Sequence, residues 1–174
     1  MAALLFILDT VLTLVVVVFL LRLLMPLVRA DFRNPVGAAV LQFTSPVIMP
    51  LRRLLPPAGR VDVASVIALL LVQLAKTAVL GLVAGVGLTA GFVLSAAARD
   101  LASTVLQFYF WAVLVHVVLS WFAPGGYSPG AQLVNRLCDP LLRPLRRIIP
   151  PLGAFDLSPM FALIGLQALQ ILLR

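Results

Sequence analysis

PVIMPLRRLLPPAGRVDVAS, residues 46–65, and PLLRPLRRIIPPLGAFDLSP, residues 140–159, are one pattern written twice. At an offset of 94 residues, with no gap, Pro50 falls on Pro144, and Arg52 and Arg53 fall on Arg146 and Arg147. Pro56 and Pro57 fall on Pro150 and Pro151, Gly59 on Gly153 and Asp62 on Asp156. Apolar segments resemble one another by composition alone, but aligned prolines, arginines and aspartates do not arise that way. The same offset carries Pro35 onto Pro129 and Gln73 onto Gln167. The chain therefore reads as two sequence-related units, residues 1–94 and 95–174.

Moving outward from each motif, the flanking sequence turns apolar in long blocks. Of the 174 residues, 63% are hydrophobic and 11% charged, whereas about a quarter of a soluble domain is charged. A membrane-crossing helix needs about 20 apolar residues. Residues 4–28, 63–82, 101–122 and 157–173 meet or approach that length. The expected fold class is an all-alpha transmembrane protein with about four spans. It is built as two parallel tandem repeats, each a helix, a proline-arginine surface segment and a second helix. An offset that keeps span parity places the repeat axis along the membrane normal. The first 26 residues lack a basic start and contain Asp9 within an overlong apolar run, so they read as a retained span rather than a signal peptide.

The regions between spans carry the remaining detail. Residues 36–43 suit a short helix, and residues 49–55 suit a separate segment lying in the membrane surface. Proline interrupts the second, which is too short for another span. After residue 82 the chain is rich in glycine and alanine. Gly81 with Gly85, and Gly87 with Gly91, have the spacing that lets helices approach closely. Extension of the second span and a turn back into the membrane are both open there. Arg99 and Asp100 read as the polar break before the third span.

The formal net charge is +7, from 13 basic and six acidic residues. Arginines beside spans favour the cytoplasmic side and anionic head groups, so the basic excess needs no nucleic acid. The positive-inside rule puts both proline-arginine segments in the cytoplasm and both termini outside. Cys138 and His116 are the sole cysteine and histidine, and there is no glutamate. No metal set, nucleophile-base pair or cofactor motif results. The chain is expected not to be an enzyme and to hold no cofactor. His116 reads as a helix-interface group ahead of a proton relay or a single haem ligand.

Several positions stand out as candidate sites. Arg52, Arg53, Arg143, Arg146 and Arg147 can reach lipid phosphates or an acidic partner surface, and the two adjacent pairs can instead reach Asp62 and Asp156. Asp62 and Asp156 precede spans and suit helix capping. Gln73 and Lys76 share a helix face, as do Gln167 and Gln170. Together they suggest a polar seam between the second and fourth spans. Interhelical bonding explains such a seam more simply than a water or ion path.

SWFAPGGYSPG (residues 120–130) followed by LCDPLLRPLRRIIPPLGAFDLSP (residues 137–159) resembles the YggT family of integral membrane proteins. The family pattern falls on Ser120, Trp121, Pro124, Pro129, Pro140, Pro144, Arg146, Arg147, Pro150, Gly153, Asp156, Ser158 and Pro159. The first unit departs from it. Pro26 and Leu27 stand at the serine-tryptophan positions, and Ala64 and Ser65 stand where the second unit has Ser158 and Pro159. The resemblance implies a small bacterial inner-membrane protein linked to osmotic-stress tolerance or ion homeostasis. Plastid relatives imply a role in assembling covalent haem onto cytochrome b6. The expected function is a non-enzymatic membrane assembly, scaffold or stress-tolerance factor. Its expected partners are anionic lipid head groups and a membrane protein or second copy. The alternative is a small ion or solute channel or transporter component using the polar seam.

Overall fold

A computed structural model describes residues 1–30, 34–54, 62–122, 128–149 and 156–173. The described residues form six helices: α1 (Ala2–Leu27), α2 (Pro35–Leu54), α3 (Val63–Val83), α4 (Ala90–Phe122), α5 (Pro129–Ile148) and α6 (Ser158–Leu173). The chain is an all-alpha bundle. Three of these helices, α1, α3 and α4, are long and apolar enough to cross a membrane. The fourth apolar helix, α6, has 16 residues and is shorter than that.

The surface segments differ from their expected form. Residues 36–43 and 49–55 do not make two separate pieces; α2 runs unbroken from Pro35 to Leu54 through Pro46 and Pro50. Likewise α5 runs through Pro140 and Pro144. An interior proline removes one backbone donor and crowds the carbonyl four residues back. In α2 the turn before Pro46 is bound by hydroxyls, Thr44 Oγ1 to the Val40 carbonyl at 2.6 Å and Ser45 Oγ to Leu41. Tertiary packing supplies the rest. Gly37, Val40, Thr44 and Ile48 are buried at helical spacing, and so are Ala131, Leu133, Leu137, Cys138 and Leu142 of α5.

Both amphipathic helices start the same way. Asn34 Oδ1 accepts the Gly37 amide at 2.7 Å, and Ser128 Oγ accepts the Ala131 amide at 3.1 Å. Each capping residue is followed by a proline, whose fixed φ and missing N–H suit the first helical position. Pro35 to Pro129 and Leu54 to Ile148 are each 94 residues apart. Within residues 1–83, α1 packs most extensively on α3, then on α2. Within residues 90–173, α4 packs most extensively on α6, then on α5.

The larger correction concerns residues 84–100. Arg99 and Asp100 are not a break; they lie inside α4. The break is the short turn after Val83, where Gly85 has φ 70°. The Val86 amide bonds the Gly81 carbonyl and the Gly85 amide bonds Leu82, which closes α3 with a glycine in the left-handed conformation. A Cβ on Gly81 would come 2.6 Å from Leu88 Cδ2, a contact that the end of the Leu88 side chain would have to move to relieve. Nothing approaches Gly87 or Gly91. The glycine-rich stretch therefore makes a turn and the start of α4 rather than a helix-packing face. At 33 residues α4 is about 50 Å long, and the boundary between residues 94 and 95 falls in its first turns.

Candidate functional site

Each proline-arginine motif is tied to the helix that follows it. Arg52, in the last turn of α2, bonds the Asp62 carboxylate, which also accepts the Ser65 hydroxyl at 2.7 Å. Arg146, in the last turn of α5, bonds Asp156 at 2.7 Å, and Asp156 accepts the Ser158 amide at 2.9 Å. The second aspartate thus meets an exposed N–H at the start of α6. The first sits at the N-cap of α3, where the Ser65 hydroxyl and backbone amide both face its carboxylate. Burial would raise both carboxyls. The arginine bonds, with Ser65 or Ser158, outweigh it and hold both below the ordinary 3.8.

The arginine pairs thereby divide. Arg52 and Arg146 lock the end of a surface helix to the next helix. Arg53 and Arg147 are exposed beside them and make no bond to the described residues. Arg143 is exposed and pairs with Asp139 one turn earlier at 2.9 Å. Pro50 and Pro144 lie within α2 and α5, on their exposed faces. Pro56, Pro57, Gly59, Pro150, Pro151 and Gly153 lie outside the described residues.

The two units differ around this clamp. In the first, Arg22 is buried and interacts electrostatically with Arg52 and Asp62. The equivalent position in the second unit is His116, whose Nδ1 is 2.8 Å from Asn135 Oδ1 of α5. With the amide oxygen as acceptor, Nδ1 is the donor. A cavity of about 590 Å³ lies alongside, lined by His116, Ser120, Trp121, Arg146, Asp156 and Pro159 among others. Pro159 and its neighbour Ser158 are both buried. One guanidinium, one carboxylate, one imidazole and an indole thus meet in an apolar-walled space. That arrangement can hold an amphipathic group.

The expected polar seam is rearranged. Lys76, 2% exposed, bonds Thr13 Oγ1 at 2.7 Å, Asp9 at 3.0 Å and Asp100 at 2.8 Å. Gln73 donates to Asp100 at 2.7 Å. The layer therefore joins α1, α3 and α4, not α3 and α6. Gln167 is exposed on α6, Gln170 is half-buried, and neither bonds Gln73 or Lys76. A lysine this deep in an apolar bundle requires opposite charge, and that was the signal that could have picked out Asp9 and Asp100. No group of three or more histidine, cysteine, aspartate or glutamate residues stands in metal-binding reach among the described residues.

Long apolar helices, amphipathic surface helices and a buried ion-pair layer define a multi-pass helical membrane protein. The CCB3/YggT family model matches residues 1–83 and 95–174, leaving only the turn and the first turns of α4 between the two matches. The chain belongs to the CCB3/YggT family. It is 40% identical over 173 residues to an uncharacterized protein of Pseudomonas aeruginosa, covering 98% of this chain and 87% of the relative. It is 36% identical over 171 residues to YggT of Escherichia coli K12, covering 98% and 89%. A chloroplastic YlmG homolog of Arabidopsis thaliana is 41% identical over 63 residues, 36% of this chain and 25% of that protein. No solved structure matches the chain.

Proposed function

We propose that the chain is a non-enzymatic inner-membrane assembly, scaffold or stress-tolerance factor that docks a membrane partner on its two PLRR ends. In this reading α6 is a fourth, short span, the units are parallel tandem repeats, the basic ends face the cytoplasm and both termini lie outside. The observation that carries it is the division of labour within each arginine pair. One arginine fixes the geometry of the segment, and its neighbour, Arg53 or Arg147, is left exposed at the same end. A fixed backbone presenting a free guanidinium recognises carboxylates or phosphates at low ordering cost. The cavity beside His116 adds an apolar recess to the second surface, where a partner side chain can anchor.

The test is affinity purification of the full chain from native membranes after mild crosslinking. Wild type is expected to recover a reproducible membrane protein or a second copy, and Arg53→Glu with Arg147→Glu to lose it. Recovery of lipid alone from wild type removes the docking role. The transporter alternative has thinner support: Lys76 is held between Asp9 and Asp100, and Gln167 and Gln170 do not continue that layer. Solute or ion flux in liposomes that disappears in Lys76→Met would favour that alternative.

A further inference from the structure

The end of α1 closes with the same pair of hydrogen bonds as the end of α3. The Ala30 amide bonds the Met25 carbonyl at 2.9 Å, and the Arg29 amide bonds Pro26 at 3.1 Å. In α3 the left-handed residue of that closure is Gly85; in α1 it is Arg29, at φ 53°. Glycine fills this position without strain, whereas a side-chain-bearing residue adopts it at a cost. Arg29 is the one positive-φ residue other than glycine among the described residues. A strained residue that persists is held by its surroundings and points to a use for its side chain. Here part of the hold is explicit: Arg136 of α5 donates to the Arg29 carbonyl.

That contact forms one wall of a pocket of about 590 Å³ between the two units. Arg29, Arg136 and Arg143 line it with Asp139, over the apolar side chains of Leu27 and Val28. Among the described residues that line it, three guanidinium groups face one carboxylate, and that carboxylate is already taken by Arg143. Each guanidinium carries five N–H donors, and the two bonds described use few of them. The pocket sits where α1 leaves its apolar stretch, and Leu27 is exposed there. An anion bound at this level has hydrocarbon-compatible surface directly beside it.

We infer that this pocket binds the phosphate of an anionic phospholipid, with its acyl chains lying along the end of α1. The excess of positive charge selects an anionic head group, and the apolar floor with the exposed flank of α1 selects a lipid over free phosphate. A lipid held here bridges α1 to α5 and so ties the first unit to the second. The inference is independent of the partner-docking reading, because none of the three arginines is Arg53 or Arg147.

The experiment is native mass spectrometry of the full chain released from detergent with phosphatidylglycerol or phosphatidylcholine, with inorganic phosphate as a competitor. Wild type is expected to retain phosphatidylglycerol preferentially. Arg29→Gly, which relieves the strained backbone, should melt no lower than wild type yet lose phosphatidylglycerol affinity about tenfold, the scale of one charged hydrogen bond. Arg143→Gln, an exposed change that leaves the fold alone, should lose it comparably. Equal retention of the two lipids by wild type overturns the inference, as does an unchanged preference in both variants. Displacement of the lipid by millimolar inorganic phosphate overturns the lipid assignment.

Discussion

The two units use one clamp in two settings. Around Arg52 the site is closed: Asp62 is 11% exposed, Ser65 adds a hydroxyl, and the buried Arg22 lies close by. Around Arg146 it is open: Asp156 is 37% exposed, and the Arg22 position holds the smaller His116 beside a cavity. Position 65, a serine that bonds the aspartate in the first unit, is Pro159 in the second. The comparison teaches that a duplicated frame can keep its fixing bond in both copies while the surroundings of that bond diverge, with a recess described beside the second. Among the residues that line the recess, Ser120, Trp121 and Pro159 have Pro26, Leu27 and Ser65 in their places in the first unit.

The units also differ at the level of Lys76, whose counterpart by the 94-residue offset is Gln170. Lys76 is buried among three oxygen partners, whereas Gln170 Nε2 is buried with none. Lys76→Met should destabilise the protein by about 2–3 kcal/mol in detergent unfolding. That is the low end of the cost of breaking a buried pair, because the carboxylates left behind are half-exposed. Gln170→Leu should cost nothing or stabilise slightly, since it removes an unpartnered polar group. Equal losses would erase the asymmetry.

The clamps should separate next. Arg52→Gln leaves a nearly buried carboxylate with only Ser65 and should cost about 1–2 kcal/mol. Arg146→Gln breaks an exposed pair and should cost about 0.5 kcal/mol. Thermal unfolding of the two variants reads the difference directly.

Acid should weaken both clamps in the same direction. Because both carboxyls are held below 3.8 in the folded chain, their stabilisation is complete above that pH. It is lost as pH falls through the lowered folded values. Asp62→Asn together with Asp156→Asn should flatten this part of the acid-unfolding profile. The smallest effect is at Cys138, buried in α5 where Thr44 stands in α2. Burial pushes its thiol up to about 12, so maleimide at pH 8 should label it only after unfolding.

The helices α1 and α3 were legible because an unbroken apolar run of span length has few other solutions. The continuity of α2 and α5 was not. Two prolines each argue for interruption, and only the buried face that runs past them keeps the helix whole. Arg99 and Asp100 looked like a loop for a related reason. A charged pair in an apolar run reads as a break until Lys76, 24 residues before Asp100, is seen to supply its partner. The aspartates of the repeated motif were legible as fixed positions. The split of each arginine pair into a bound and a free member depends on helix phase at the chain's bend, which spacing alone does not set.

The account's central claim is that both basic ends meet a partner and that the recess beside the second end anchors it. Photo-crosslinking in native membranes tests it, with benzoylphenylalanine placed at Trp121 beside the cavity or at Leu27, its equivalent 94 residues earlier. The account predicts a reproducible protein adduct from position 121 and only lipid adducts from position 27. Identical protein adducts from both positions, or none from position 121, would contradict it.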